Sequence, residues 1–320
     1  MNRNAFNYII GLTLILGLFS ACGNKPKNTK AEQDYQRAAR YFVADESFSP
    51  ILNEALDVFR YQVPLDTLEA QYTNEQEAVR KLLALETWLA FTSRDFTAKE
   101  RKNLEDRRYI PRSIVIAYDG LALIVNNNNP DTCISVRDFK RILKGEVSKW
   151  NELYPQSSMG TIDVVFDNPL SSTIRWCVDS LLHGQELKAP NIGAVKTSAA
   201  VIDYVESHEN SLGIIGSNWL NDKRDTTNVT FKKNISVMGV SKMETAEKYN
   251  SWKPYQYYLY NGNYPLRRTI YALLNDTRNG VPSTFTHFIQ LPRGQKIILR
   301  AGLLPRTANM NVRDVIVNHQ

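Results

Sequence analysis

The sequence predicts an α/β fold with two lobes, each built on a mixed or parallel sheet flanked by helices. Three strand–loop–helix units follow one another between residues 39 and 107, and such units form parallel sheets through right-handed crossovers. A polar break at residues 126–130 precedes a second series of similar units. The 320 residues are enough for two lobes of ordinary domain size.

The first series predicts one sheet and the helices that cover it. Short apolar runs predict strands, and the polar stretch that ends each run leads into an amphipathic segment typical of a helix. Strands are predicted at residues 39–44, 65–72, 87–91 and 113–125, the last broken at Asp119-Gly120. Helices are predicted from Ile51, from residues 73–77 and over residues 97–107.

The second series has the same alternation. Strands are predicted at residues 161–166 and 212–216 and, with a turn, at residues 229–240. Helices are predicted at residues 136–143, 174–182, 198–207 and from Ser283 to Gln290. The apolar and aromatic run at residues 265–273 is expected to carry the chain back to the first lobe.

Polar loops at the ends of these strands predict a ligand site. In open α/β sheets ligands bind beyond the carboxyl ends of the strands, where the loops at residues 46–48, 74–76 and 93–94 fall. Ser171, Ser172 and Thr173 come directly before a helix, whose free N–H groups and partial positive charge favour an anion. Arg94 and Arg175 would add charge-assisted hydrogen bonds. Hydroxyl residues at a helix start also serve as simple caps, so the prediction depends on several such loops facing one another.

The N-terminus has the pattern of a bacterial lipoprotein signal. An apolar run from Ile9 to Ala21 follows Arg3 and ends in small residues before Cys22. With 13 residues it is shorter than the roughly 20 that a membrane-spanning helix needs. We therefore expect cleavage before Cys22 and lipidation, including palmitate, of that cysteine. The mature protein would be tethered to a membrane of a bacterial cell envelope, facing the periplasm or the exterior.

Composition excludes several classes of function. Arg3 is the only charged residue before Cys22, so the mature chain carries 38 Lys and Arg against 33 Asp and Glu. This small, dispersed excess does not indicate a nucleic-acid partner, although it favours small anions. The four histidines are scattered, so no metal or other cofactor is expected. Cys133 and Cys177 could pair in an oxidising compartment, but two buried free thiols are favoured over a bridge. The sequence shows no nucleophile with a neighbouring base, so we do not expect an enzyme.

The order of these segments resembles the phosphate-binding, type II periplasmic solute-binding proteins of ABC importers. The resemblance covers residues 40–305. Its most specific segments are residues 116–126, 134–145 with Trp150, 214–216, 264–268, 288–289, 294–298 and 302–305. It implies a type II periplasmic-binding-protein fold with two hinge strands, a monomer, phosphate or a related oxyanion as ligand, and an ABC permease as partner.

The resemblance also implies the ligand-binding residues. They are Ser47, Phe48, Ser93, Arg94, Ser171, Ser172 and Thr173. The sequence departs from the family pattern at three places: Ser172 replaces a glycine, Asp167 replaces an arginine, and the first loop carries Asp45 and Glu46. Glu46 or Asp167 could accept the proton of monohydrogen phosphate, which sulfate lacks.

The expected organisation is a signal peptide at residues 1–21, a tether at 22–37, a first lobe at 38–119 and 265–320, and a second lobe at 120–264. Two alternatives stay open beside phosphate capture. The cleft could hold another small solute, or the protein could be a sensor or scaffold lipoprotein of the same fold. In the latter case the stretch at residues 312–317 could contact a partner.

Overall fold

The computed structural model describes residues 29–64, 68–221 and 234–307. Cys22, the predicted signal peptide and the tail at residues 312–317 lie outside these residues. The chain divides into two compact units, residues 1–37 and 38–320. Helix α1 (Lys30–Ala39) begins in the first unit, and the two lobes belong to the second.

The first lobe is built on the predicted parallel sheet. Strands β1 (Tyr41–Asp45), β2 (Glu69–Thr73) and β3 (Leu89–Thr92) are parallel in the order β2-β1-β3. Strand β11 (Arg267–Leu274) adds antiparallel to β3 and pairs with the first half of β4 (Arg112–Asn126). The helices of this lobe are α2 (Ser49–Gln62), α3 (Glu75–Leu83), α4 (Ala98–Asp106), α9 (Val281–Gln290) and α10 (Pro292–Arg300).

The second lobe uses the other half of β4. Residues 121–125 pair antiparallel with β8 (Ser211–Gly216), which is followed by β6 (Asp163–Phe166) and β7 (Ile192–Ala194), all three parallel. The remaining strands are β5 (Cys133–Ser135), β9 (Ile235–Val237), β10 (Gly239–Ser241) and, in the first lobe, β12 (Leu304–Pro305). The helices are α5 (Val136–Leu143), α6 (Ser172–Trp176), α7 (Ser198–Ser207) and α8 (Gln256–Tyr260); a π-helical turn extends α6.

The sequence predicted a break in strand β4 at Asp119-Gly120, but the structure has no break there. The strand is continuous but changes partner: Gly120 lies opposite Arg267 of β11, and Leu121 lies opposite Gly216 of β8. The carboxylate of Asp119 is buried and hydrogen-bonded, so its charge requires no turn to reach solvent. One unbroken strand therefore connects the two lobes.

Each lobe packs its own apolar side chains. In the first, five phenylalanines pack together, mostly edge to face, between β1, β3 and helices α2 and α9: Phe42, Phe59, Phe91, Phe285 and Phe288. In the second, Phe139, Trp150 and Phe166 are fully buried. Cys133 and Cys177 are both free, and Cys177 is buried in this second core. Over the described ranges, no helix has the length and apolar character to cross a bilayer.

Candidate functional site

Polar side chains from both lobes meet where six parallel strands end. The loops after β1, β2 and β3 carry Glu46–Phe48, Glu75 and Ser93, and those after β6, β7 and β8 carry residues 167–173, Ser198 and Ser217–Trp219. We call the hydrogen-bonded group at this meeting point, which is buried except for the partly exposed Arg175, the interlobe cluster. Its members are Asp45, Ser47, Glu75, Ser93, Asp119, Asp167, Ser171, Ser172, Thr173, Arg175 and Arg268.

A buried arginine lies at the centre of the interlobe cluster. The Nε and Nη2 atoms of Arg268 donate to Oδ2 of Asp119 over 2.9 and 2.7 Å, and both side chains are fully buried. Nη1 donates to Oγ of Ser172 at 2.8 Å, and Nη2 donates to Oγ of Ser47 at 3.1 Å. The guanidinium lies 4.7 Å from the ring centroid of Phe48. One cation therefore orients a serine from each lobe.

Asp45 accepts hydrogen bonds from the backbone N–H groups of the same two serines. Its Oδ1 accepts the backbone N–H of Ser47 at 3.0 Å and the Ser47 hydroxyl at 2.5 Å. Its Oδ2 accepts the backbone N–H of Ser172, at the start of α6, at 3.0 Å. Burial and the charge of Glu75 raise the pKa of Asp45, against the opposing effects of its hydrogen bonds and Arg268. A carboxylate of the first lobe is therefore the anion that these donors hold.

Asp167 lies beside the start of α6, in contact with the hydroxyl segment predicted from the sequence. The Thr173 hydroxyl donates to Oδ1 of Asp167 and lies 2.7 Å from the Ser171 hydroxyl. Ser171 caps α6 by accepting the N–H of Ile174. Burial, followed by the charge of Asp45, raises the pKa of Asp167 to about 7. This carboxyl group can therefore gain and lose a proton near neutral pH.

A second ion pair crosses the lobes at the edge of the cluster. The Nε of Arg175, on α6, donates to the Glu75 carboxylate, and its Nη2 donates to Oγ of Ser93 at 2.6 Å. Glu75 also accepts the Ser93 backbone N–H at 2.6 Å. Arg175 extends to Asp179 one turn along, at 2.9 Å. Two strand-end loops of the first lobe are thus fixed to one helix of the second.

Glu46 and the Ser47 carbonyl make a third crossing. Oε2 of Glu46 accepts the backbone N–H of Ser198 at 3.0 Å and its hydroxyl at 2.9 Å, at the start of α7. The carbonyl of Ser47 accepts Nδ2 of Asn218 at 2.8 Å and Nε1 of Trp219 at 3.0 Å. Burial raises the pKa of Glu46, and the two bonds from Ser198 oppose the shift.

The structure brings together most of the residues predicted from the sequence. Ser47, Phe48, Ser93, Ser171, Ser172, Thr173 and Asp167 lie in or against the cluster, and Glu46 lies beside it. Arg94 lies close enough to the cluster for its charge to act on Glu75 and Arg175, but its side chain is turned to another acid. Its two Nη atoms bind Glu100 at 2.7 Å each, because the capping box of Thr97 and Glu100 at the start of α4 holds that carboxylate within reach.

Arg268 is the central residue that sequence reasoning missed as a site residue. Its signal is its position: near the start of β11 it alternates in register with the buried residues Ile270 and Ala272, and Asp119 lies inside β4. Two opposite charges in separate buried strands predict an ion pair between those strands, because an unpaired buried charge is strongly unfavourable. No such strand pattern identifies Asp45, which is the last residue of β1, where a polar residue is ordinary.

The carboxylates do not form a metal centre. Within the ranges that the structure covers, no three His, Cys, Asp or Glu side chains are grouped so as to hold a metal ion. Arg268, hydroxyls and backbone N–H groups fill the places between the acids instead.

Comparison with known proteins identifies the family. A family model described as a PBP superfamily domain matches residues 35–291. The chain is similar to the phosphate-binding protein PstS of Staphylococcus epidermidis, with 21% identity over 90% of this chain and 84% of that protein. It is also similar to the phosphate-binding protein PstS of Pseudomonas aeruginosa, with 22% identity over 63% of this chain and 62% of that protein.

Solved structures show the same architecture. One is a substrate-binding protein of Clostridium perfringens, assigned to phosphate ABC transport and solved with bound phosphate; the TM-score is 0.69, with 20% identity over 83% of this chain and 99% of that one. Another is an ABC-type phosphate transport receptor of Vibrio cholerae, with a TM-score of 0.61 and 20% identity over 82% and 98% of the chains. The resemblance seen in the sequence is confirmed. The chain belongs to the PBP superfamily and has the two-lobed fold of the phosphate-binding proteins it is similar to.

Proposed function

We propose that this protein is an extracytoplasmic solute-binding protein that captures inorganic phosphate or a related oxyanion between its lobes and delivers it to an ABC permease. The names of its relatives and the phosphate bound to one structural neighbour support this function. The protein performs no catalysis in this proposal. It is held to a membrane through a lipidated Cys22 and faces the periplasm or the exterior.

One observation carries the proposal: donors from both lobes converge on one buried point. The hydroxyls of Ser47 and Ser172, 3.4 Å apart, share the guanidinium of Arg268, and the N–H groups of both serines point to a carboxylate. Backbone N–H groups, hydroxyls and one guanidinium are the donors that suit a tetrahedral oxyanion.

Asp167 is the better of the two proposed acceptors for a proton of the ligand. It is buried beside Ser171 and Thr173, and its pKa of about 7 lets it take up a proton at neutral pH. Glu46 is held at Ser198, on the side of the cleft. Monohydrogen phosphate can donate to such a group and sulfate cannot, so the acid favours phosphate over sulfate.

The lobes would move about the two connections at the middle of the molecule. We propose a first lobe at residues 38–119 and 265–320 and a second at residues 120–264. Strand β4 changes partner at Gly120, and residues 264–265 lead into β11. Bending there would open the cluster to the solute, as in other hinged binding proteins.

Titration calorimetry of the full-length chain in detergent tests the function. We expect phosphate to bind with a dissociation constant in the micromolar range or tighter, while sulfate gives no heat. Ser172→Ala should weaken phosphate binding at least about tenfold, because it removes a hydroxyl that Arg268 orients. Arg94→Ala is the matched control and should bind as the wild type does, because Arg94 is engaged by Glu100. Absence of heat with phosphate would overturn the assignment.

A sensor or scaffold role is the second candidate, and one observation favours it. Three carboxylates of the first lobe already satisfy donors of the second: Asp45 at Ser172, Glu46 at Ser198 and Glu75 at Arg175. Lobes held together in this way could present a fixed surface to another envelope protein. If scattering in solution shows a compact shape that no phosphate, sulfate or carboxylate changes, this role gains over transport.

A further inference from the structure

We propose that Asp45 is a built-in occupant of the cleft's anion donors, which an incoming oxyanion has to displace before it can bind. The inference rests on the proposed function and names the residue that limits the protein's affinity for phosphate. It concerns one of the positions at which the sequence departs from the family pattern.

The geometry of Asp45 is that of a bound anion. Each carboxylate oxygen serves a different lobe: Oδ1 binds Ser47 of the first, and Oδ2 binds the N–H of Ser172 of the second. The hydroxyls of the same two serines lie 3.4 Å apart and both accept from Arg268. In this arrangement the groups that would hold an oxyanion contact one another and Asp45, so a ligand has to separate them.

The charges around Asp45 oppose a second anion. Four other acids face it or lie near it: Glu46 on its own loop, Glu75 at the start of α3, Asp119 on β4 and Asp167 beside α6. Among the described residues, Arg268 and Arg175 are paired with acids of the cluster, and Arg94, whose charge also acts on Glu75, is paired with Glu100. A phosphate dianion that entered beside an ionised Asp45 would meet like charge in a buried site, which is strongly unfavourable.

Two routes relieve this conflict, and both involve the same residue. Asp45 can swing away as the lobes open, or it can become neutral, which its raised pKa favours. Either route takes free energy from binding, so the wild type should bind phosphate more weakly than the donor set alone would allow. Removing the carboxylate should therefore strengthen binding.

Calorimetry of the full-length chain with inorganic phosphate tests this inference. We expect Asp45→Ala to bind phosphate at least about tenfold tighter than the wild type. Asp45→Asn keeps the side-chain volume and should shift affinity the same way by a smaller factor, which covers the case in which the alanine variant does not fold. Asp276→Ala is the matched control: Asp276 is also buried in the first lobe and accepts two backbone N–H groups and a serine hydroxyl, but lies outside the cluster. Its affinity should equal that of the wild type.

The possible outcomes separate the two proposals. If the wild type binds phosphate and both Asp45 variants bind it equally or more weakly, the built-in occupant is overturned and the proposed function stands. If neither the wild type nor any Asp45 variant binds phosphate, both are overturned. Small-angle scattering gives a second readout: Asp45→Ala without phosphate should have a larger radius of gyration than the wild type and should contract when phosphate is added.

Discussion

The loops of the two lobes differ in chemical character where they meet. The first lobe presents mainly acceptors: the carboxylates of Asp45, Glu46 and Glu75 and the carbonyl of Ser47. The second lobe presents mainly donors, at the starts of α6 and α7 and on Arg175, Asn218 and Trp219. The interlobe hydrogen bonds therefore run mostly in one direction, from the second lobe to the first.

This difference explains how the two sides of the cleft can bind each other. Helix starts carry free N–H groups and a partial positive charge, and a carboxylate is the side chain that satisfies them best. The chain supplies those carboxylates from the facing loops. Two residues run against the pattern: Arg268 is a donor in the first lobe, and Asp167 is an acid in the second.

Loss of Arg268 should break this arrangement most severely. Arg268→Met leaves Asp119 buried without its cation and removes the hydrogen bonds to both serines. We expect the free energy of unfolding, measured in urea, to fall by about 3–5 kcal/mol. Arg267→Met is the control on the same strand: Arg267 is exposed, and its loss should cost less than about 1 kcal/mol.

A second variant distinguishes the unpaired charge from lost packing. Adding Asp119→Asn to Arg268→Met should recover part of the stability, since no buried charge then lacks a partner. If the double variant were less stable than Arg268→Met alone, the ion pair would not be the reason for the loss.

The second exception predicts a pH dependence. Burial raises the pKa of Asp167 from 3.8 to about 7, so the folded protein holds this proton more tightly than the unfolded chain. Stability from this group is complete below pH 3.8 and is lost as the pH rises through about 7. Between about pH 5 and 8 the free energy of unfolding should fall by about 2–3 kcal/mol.

Two variants isolate the contribution of Asp167. Asp167→Asn cannot ionise, so urea unfolding across this pH range should show a flatter profile. Asp45 and Glu46, whose pKa values are also raised, contribute in the same direction and leave a residual slope. Asp203→Asn, at an exposed position of α7, should follow the wild-type profile. An unchanged slope in Asp167→Asn would contradict the prediction.

The sequence predicted most of the longer elements of both lobes because their signals are local, and it missed short ones such as β5, β7 and α8. Asn74, Thr97 and Ser135 each cap a helix that begins at the next residue, through a hydrogen bond to an N–H three residues on. The parallel order of the first three strands follows from their connection through helices. The break expected at Asp119-Gly120 was wrong, because a polar pair in a strand indicates a turn only when its charge must reach water.

The site was predicted only in part, because its local signals can be recognised from sequence and its long-range partners cannot. Ser47 and Ser172 each offer a backbone N–H and a hydroxyl that can donate to any acceptor, and their loops could be placed at strand ends from the sequence. Their partners are far away in the chain: 127 residues separate Asp45 from Ser172. For Arg94 the partner is near in the chain instead: its side chain donates to Glu100, six residues away, and not to a ligand-binding group as the sequence predicted.

The approach of Arg268 to the second lobe requires a glycine, which gives a smaller prediction. A Cβ on Gly216, at the end of β8, would lie 2.5 Å from Nη2 of Arg268 and 2.9 Å from Oδ2 of Asp119. Gly216→Ala should therefore reduce the free energy of unfolding by about 1–3 kcal/mol. Gly193→Ala, on β7, is the control: the atom nearest to its Cβ is 4.0 Å away, so chemical denaturation should show little change. Equal effects of the two substitutions would mean that this contact is not tightly packed.

The smallest expected effect compares one ion pair between the lobes with one inside the first lobe. Arg175–Glu75 joins the lobes, whereas Arg94–Glu100 lies within one, and the two arginines are similarly exposed, at 28% and 23%. Double-mutant cycles of unfolding, with Arg→Met and Glu→Gln, should give a coupling of about 1–2 kcal/mol for the first pair and about 0.5–1 kcal/mol for the second. The difference is expected because Glu75 is almost fully buried, so loss of Arg175 leaves its charge unpaired. Of these two pairs only Arg175–Glu75 joins the lobes, so only its variants should also increase the radius of gyration. An equal increase in the Arg94–Glu100 variants would contradict the one-way pattern of contacts across the cleft.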